Sequence, residues 1–230
     1  MKRFPSVVLL ALSIACSSAF AAKPKANDAV ATDSTLPNVL ILGDSISIGY
    51  TPVVRDALKS KANVIRPSAN CGETRMGLAG IDDWLGDGKW DVIHFNWGLW
   101  DLCYRNPDSK TQGNRDKVNG KQAIPLAEYE ANLERLVERL KQTGAVLVWA
   151  STTVVPEGEA GRVVGDELKY NAAAERVMKK HGVRIDDLHS LTKRFEPELF
   201  TKPGDVHYTP AGYGKIGSQA AAAIEAALKK

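Results

Sequence analysis

Two kinds of run alternate along the chain. Short, nearly unbroken apolar runs stop at glycine or small polar residues: "NVLILGDS" at 38–45, "ANVIRPSA" at 62–69, "WDVIHFNWG" at 90–98, "AVLVWASTT" at 145–153 and "VRIDDLH" at 183–189. Such runs predict buried strands. Between them lie helical stretches at 51–60, 74–85, 125–144, 167–182 and 209–230. The third is the clearest: Leu126, Tyr129, Leu133, Leu136 and Leu140 form one apolar stripe, and Gly144 ends it. Pro52 fits the first turn of a helix over 51–60. Gly77 and Gly80 weaken the pattern over 74–85. Residues 102–124 are polar and glycine-containing, an excursion between a strand and a helix.

Strands that alternate with helices imply a parallel sheet covered on both faces, an α/β fold in three α/β/α layers. Ligands in such folds bind beyond the carboxyl ends of the strands. The chemistry is therefore expected in the loops after Leu42, Arg66, Trp97 and Thr152.

The ends of the chain alter this picture on one side only. Lys2 and Arg3 precede the apolar run "VVLLALSIAC", and "AFA" at 19–21 supplies small residues, the order of an export signal over residues 1–21. The competing reading is a buried first helix. The run is too short for an integral membrane span. Cys16 leaves a lipid anchor open, although "SIAC" has serine where such sites carry a bulky aliphatic residue. Residues 22–36 are polar and aperiodic and read as a disordered spacer before a single domain over 37–230. Export would place the protein in the periplasm or outside the cell. The net charge is +3 and no basic stripe appears, which argues against nucleic acid as a partner.

Candidate chemistry collects in two loops. "GDSIS" at 43–47 follows the first strand, where a serine at a helix start can face a cleft beside free backbone N–H groups. Asp44, Ser45 or Ser47 could equally be a simple helix cap. "GDVHYTPAGY" at 204–213 carries His207 with Asp205 close by. A serine needs a base, and a base needs an orienting acid. His94 lies inside a strand pattern, His181 ends a helix among lysines, and His189 follows the fifth strand; each suits such a role less well. Zinc, phosphate-loop and dinucleotide motifs are absent, as is G-x-S-x-G, so no cofactor and no metal is expected.

Four blocks in order, "GDSIS", "NCGETR", "GLWDL" and "DVHYTPAGY", resemble the GDSL-type, or SGNH, hydrolases. The resemblance spans residues 38–213 and implies a flavodoxin-like five-stranded parallel sheet. It further implies a serine esterase in which Ser45 attacks an ester carbonyl and His207 takes its proton. The oxyanion would be held by the N–H groups of Ser45 and Gly72 and by a donor from the third block. Asp44 and Trp100 would contact substrate. Small acyl esters are the implied substrates, O-acetyl groups on carbohydrate first among them.

The chain departs from the family twice. The acid usually stands three residues before the histidine, where this chain has Gly204; Asp205 stands two before. Asp205 or a backbone carbonyl would then orient His207. The third block usually reads G-x-N-D, and the asparagine is an oxyanion donor. Here "GLWD" puts Trp100 in its place, so the donor would be the Trp100 indole or the Asn96 amide. Asp101 keeps its place and would bond the local backbone. Cys71 and Cys103 flank two blocks that border one cleft in this family, and a disulfide between them is expected in an oxidising compartment. Three rivals remain: a lipolytic lysophospholipase or arylesterase, an inactive binding module of the same fold, and a flavodoxin-like nucleotide binder.

Overall fold

The computed structural model describes Met1, Asn27 and residues 32–229. In chain order the elements are β1 (Asn38–Leu42), α1 (Ser45–Leu58), β2 (Asn63–Ile65), α2 (Thr74–Leu85) and β3 (Val92–Phe95). The short strands β4 (Tyr104–Arg105) and β5 (Lys121–Gln122) follow, then α3 (Leu126–Lys141), β6 (Val146–Ala150) and α4 (Asp166–His181). β7 (Arg184–Asp186), α5 (Leu188–Thr192) and α6 (Pro210–Leu228) complete the chain.

Five parallel strands make the main sheet in the order β2-β1-β3-β6-β7. This is the flavodoxin-like order that the family resemblance implies. α1 packs with α6, while α3 packs between α2 and α4. The interior strand β1 is buried on both faces from Val39 to Leu42, as a strand between helical layers must be. The stripe on α3 is likewise buried at Tyr129, Leu133, Leu136 and Leu140.

Two local readings change. The first helix begins at Ser45, not at Thr51, because Asp44 caps it: its side chain accepts the Ile46 N–H at 2.9 Å. Pro52 thus sits inside the helix. The excursion carries a small antiparallel ribbon, β4 against β5, and a 3₁₀ turn at Gln112–Asn114.

The export signal over 1–21, including Cys16, lies outside the described residues except for Met1. Within the spacer over 22–36, Asn27, Asp33 and Leu36 are hydrogen-bonded to the domain. Asn27 Nδ2 donates to the Trp84 carbonyl at 3.0 Å. Asp33 N–H donates to Asn63 Oδ1 and Asn63 Nδ2 returns a bond to the Asp33 carbonyl, both at 2.8 Å. Asn63 is buried at the start of β2, and this segment satisfies polar groups that would otherwise be stranded.

Candidate active site

β1 delivers the chain to Gly43, Asp44 and Ser45. Ser45 is the first residue of α1, so its backbone N–H belongs to the helical turn that has no intrahelical acceptor. Its Oγ lies 2.8 Å from His207 Nε2. His207 Nδ1 lies 2.6 Å from Asp205 Oδ1, and that oxygen also accepts the His207 backbone N–H at 3.0 Å. Asp205 therefore fixes both the ring and the backbone of His207. Burial works against its charge, but the hydrogen bonds from His207 outweigh that and hold the carboxyl below the usual range. The network assigns a tautomer with Nδ1–H toward Asp205 and Nε2 free to accept from Ser45.

The shifted acid has a steric cause. Gly204 has φ +73°, and a Cβ there would lie 2.7 Å from the Gly158 carbonyl oxygen. No side chain fits three residues before His207, so the acid stands at the next position, from which it reaches the ring directly. A backbone carbonyl is not the group that meets Nδ1.

The other expected residues divide. Trp100 lines a cleft of about 280 Å³ together with Ser45, His207, Leu99 and Val206. Its indole N–H has no acceptor among the described residues, and Arg105 lies over its ring, 4.9 Å from the centroid. Asn96 is corrected: its amide donates to the Ala150 carbonyl at 2.8 Å and to Thr152 Oγ1 at 3.2 Å, joining the ends of β3 and β6. Gly72 N–H is engaged by Asn70 Oδ1 at 2.9 Å rather than open to the cleft. Asp44, expected against substrate, is only 3% exposed and is spent as the α1 cap; burial, partly offset by the Ile46 N–H, raises its carboxyl.

The disulfide is a second correction. Cys71 and Cys103 are free, buried thiols. Cys103 Sγ is directed to the Tyr104 carbonyl at 3.7 Å. Polar ties do the joining instead. Asp101 Oδ1, fully buried, accepts from the Thr74 N–H at 2.9 Å and the Thr74 hydroxyl at 2.6 Å. Trp97 Nε1 donates to the Cys71 carbonyl at 3.3 Å. The loops after β2 and β3 are thus fixed to each other without a covalent bond.

One residue escaped the sequence reading. Asn70 lines the cleft beside Ser45; its Oδ1 is held by Gly72, which leaves its Nδ2 donors without an acceptor among the described residues. The signal was one residue from Cys71 in "NCGETR", but nothing in a sequence says which way an amide turns.

A serine, histidine and aspartate in hydrogen-bonded sequence at the carboxyl end of β1 is the arrangement for nucleophilic acyl transfer. The family model of GDSL-like lipases and acylhydrolases matches residues 41–215. The chain belongs to the GDSL-like lipase/acylhydrolase family. As a member it is an ester-hydrolysing serine hydrolase. Solved structures of similar fold include an acetyl xylan esterase, AlAXEase, at 14% identity and TM-score 0.65, covering 81% of this chain and 99% of that one. A lipase/acylhydrolase from Enterococcus faecalis is 17% identical with TM-score 0.67, covering 83% and 96%. Axe2, an acetylxylan esterase from Geobacillus stearothermophilus, is 17% identical with TM-score 0.64, covering 82% and 94%. At such identities the likeness concerns the fold. No curated protein sequence matches the chain. Among the described residues of this GDSL-like hydrolase, no helix is long and apolar enough to cross a membrane.

Proposed function

We propose that this hydrolase removes short acyl groups, O-acetyl groups on carbohydrate in particular, through an acyl-serine at Ser45. The observation that carries the reading is the hydrogen-bonded series Ser45–His207–Asp205 opening into one small cleft. In this mechanism Ser45 Oγ attacks the ester carbonyl while His207 Nε2 takes its proton. His207 then protonates the departing alcohol, and water activated by the same nitrogen releases the acid. Asp205 holds the ring in the required tautomer and stabilises the imidazolium. In this reading the Ser45 N–H and the Asn70 side-chain amide donate to the oxyanion; Gly72 N–H would join only by leaving Asn70 Oδ1.

The substrate class rests on size and likeness. A cleft of about 280 Å³ lies at the small end of ligand sites, which run from roughly 300 Å³ upward. Two of the structural relatives are acetyl xylan esterases by name. The N-terminal pattern of charge, apolar run and small residues supports export, with the exported product beginning at Ala22.

The test is a hydrolysis panel of p-nitrophenyl acetate, butyrate and octanoate with acetylated xylan, using Ser45→Ala as control. Acetyl esters should be preferred, and the serine variant should be inactive. A preference for octanoate would overturn the substrate class and favour a lipolytic enzyme. N-terminal sequencing of the periplasmic or secreted protein should read from Ala22; an intact Met1 would contradict export.

A further inference from the structure

Three guanidinium groups line the same cleft as Ser45 and His207: Arg105, Arg115 and Arg162. Their countercharge is incomplete. One carboxylate, Glu159, is fully buried behind them, and its Oε1 accepts from both Arg115 and Arg162 at 2.9 Å. Its Oε2 is occupied by the backbone N–H groups of Gly161 and Arg162. Arg162 is itself buried and donates its Nε to the Leu99 carbonyl at 2.7 Å, so its work is internal. Of the remaining acids near the cleft, Asp44 caps α1 and Asp205 holds His207. Arg105 has no carboxylate partner among the described residues.

The way Arg105 is held matters as much as its charge. Nη1 donates to the Gly113 carbonyl. The guanidinium lies over the Trp100 ring, a cation–π contact that orients the group without neutralising it. Its Nε and Nη2 donors have no acceptor among the described residues. A half-buried, oriented guanidinium with free donors matches the geometry of a carboxylate or phosphate. A role limited to anchoring the excursion would need the Gly113 bond and the stacking alone.

We propose that this cleft takes esters that bear an anionic group, a carboxylate or phosphate, and that Arg105, backed by Arg115, binds that anion while Ser45 attacks the ester. The proposal rests on the hydrolase reading of Ser45 and His207 and narrows its substrate to acidic esters. Trp100 then has a use in the position where relatives carry an amide: it is the platform that fixes Arg105.

The test compares 4-acetoxybenzoate, its neutral methyl ester and 4-acetoxyphenyl phosphate. For the wild type, kcat/KM should favour an anionic ester over the methyl ester, and the preference should shrink as salt rises from low to physiological ionic strength and above. Arg105→Gln should reduce the anionic-to-neutral ratio at least about tenfold, a difference of about 1.4 kcal/mol, while Arg105→Lys keeps part of it. The anionic ester that loses more identifies carboxylate or phosphate as the group bound. A ratio equal in wild type and Arg105→Gln, or indifferent to salt, overturns the proposal. Hydrolysis of the methyl ester that depends on Ser45 upholds the esterase reading even then. If the wild type hydrolyses none of the three, the esterase reading fails. Calorimetry with 4-hydroxybenzoate then still reads the anion site: binding weakened at least about tenfold by Arg105→Gln supports it, and equal binding overturns it.

Discussion

Asn70 and Gly204 show how single residues reshape a familiar arrangement. The third block lacks its usual amide, and Asn96 cannot replace it because its Nδ2 is committed to the Ala150 carbonyl. Asn70 is the amide that lines the cleft together with Ser45. Asn70→Ala should lower kcat for p-nitrophenyl acetate by about 10²–10³-fold with little change in KM, the usual effect of losing one oxyanion donor. A variant with wild-type kcat would remove Asn70 from the mechanism. Gly204 displaces the acid by one position, and Asp205 meets the ring at 2.6 Å. Asp205→Asn should cost about 10³–10⁴-fold in kcat by favouring the wrong tautomer; a loss under tenfold would show that Asp205 is dispensable. The identities of Ser45, His207 and Asp205 could be read in the sequence because they stand in two of four ordered blocks and the chain has only four histidines to choose among. The direction of an amide such as Asn70 or Asn96 could not, since it depends on which distant carbonyl lies within reach.

At the scale of elements, the cleft is framed by the start of α1, by the loop after β2 and by the loop after β3. Asp101 is the tie between the last two. Burial raises its carboxyl to about 7, although the Thr74 hydroxyl and N–H oppose the shift. Its Oδ2 has no hydrogen-bond partner. The folded protein therefore binds a proton at Asp101 more tightly than the unfolded chain, where aspartate titrates near about 3.9. The native state holds the extra proton between about pH 4 and pH 7, so stability falls as pH rises through that window and the loss is complete above it. Asp101→Asn keeps an acceptor for Thr74 and cannot titrate. Urea midpoints should show the variant gaining on the wild type between pH 4 and pH 8, by about 2–4 kcal/mol; parallel pH profiles would contradict this account. The start of α1 was misplaced by the sequence pattern because Pro52 advertised a first turn, whereas the Asp44 cap sets the true one. α5 (Leu188–Thr192) is too short to show a period at all.

For the whole molecule, alternation of strands and helices was enough to foresee a covered parallel sheet and the edge that holds the chemistry. The excursion between β3 and α3 was not legible, because its polar residues acquire meaning only when they fold back and set Arg105 and Arg115 against Ser45. The expected Cys71–Cys103 bond fails for a related reason: adjacency of loops does not aim two thiols at each other. Burial pushes Cys71 up to about 11 and Cys103 upward as well, so both should be inert in the native protein. Iodoacetamide with peptide mapping should leave both unmodified when folded and alkylate both in urea without reductant; protection of both in urea until reductant is added would restore the disulfide. The central claim is that Ser45, activated by His207, is the nucleophile. A fluorophosphonate probe followed by mass mapping tests it most directly. One adduct on Ser45, lost in Ser45→Ala and strongly slowed in His207→Ala, is the predicted result. Failure of the wild type to label, or ester hydrolysis that persists in Ser45→Ala, would contradict it.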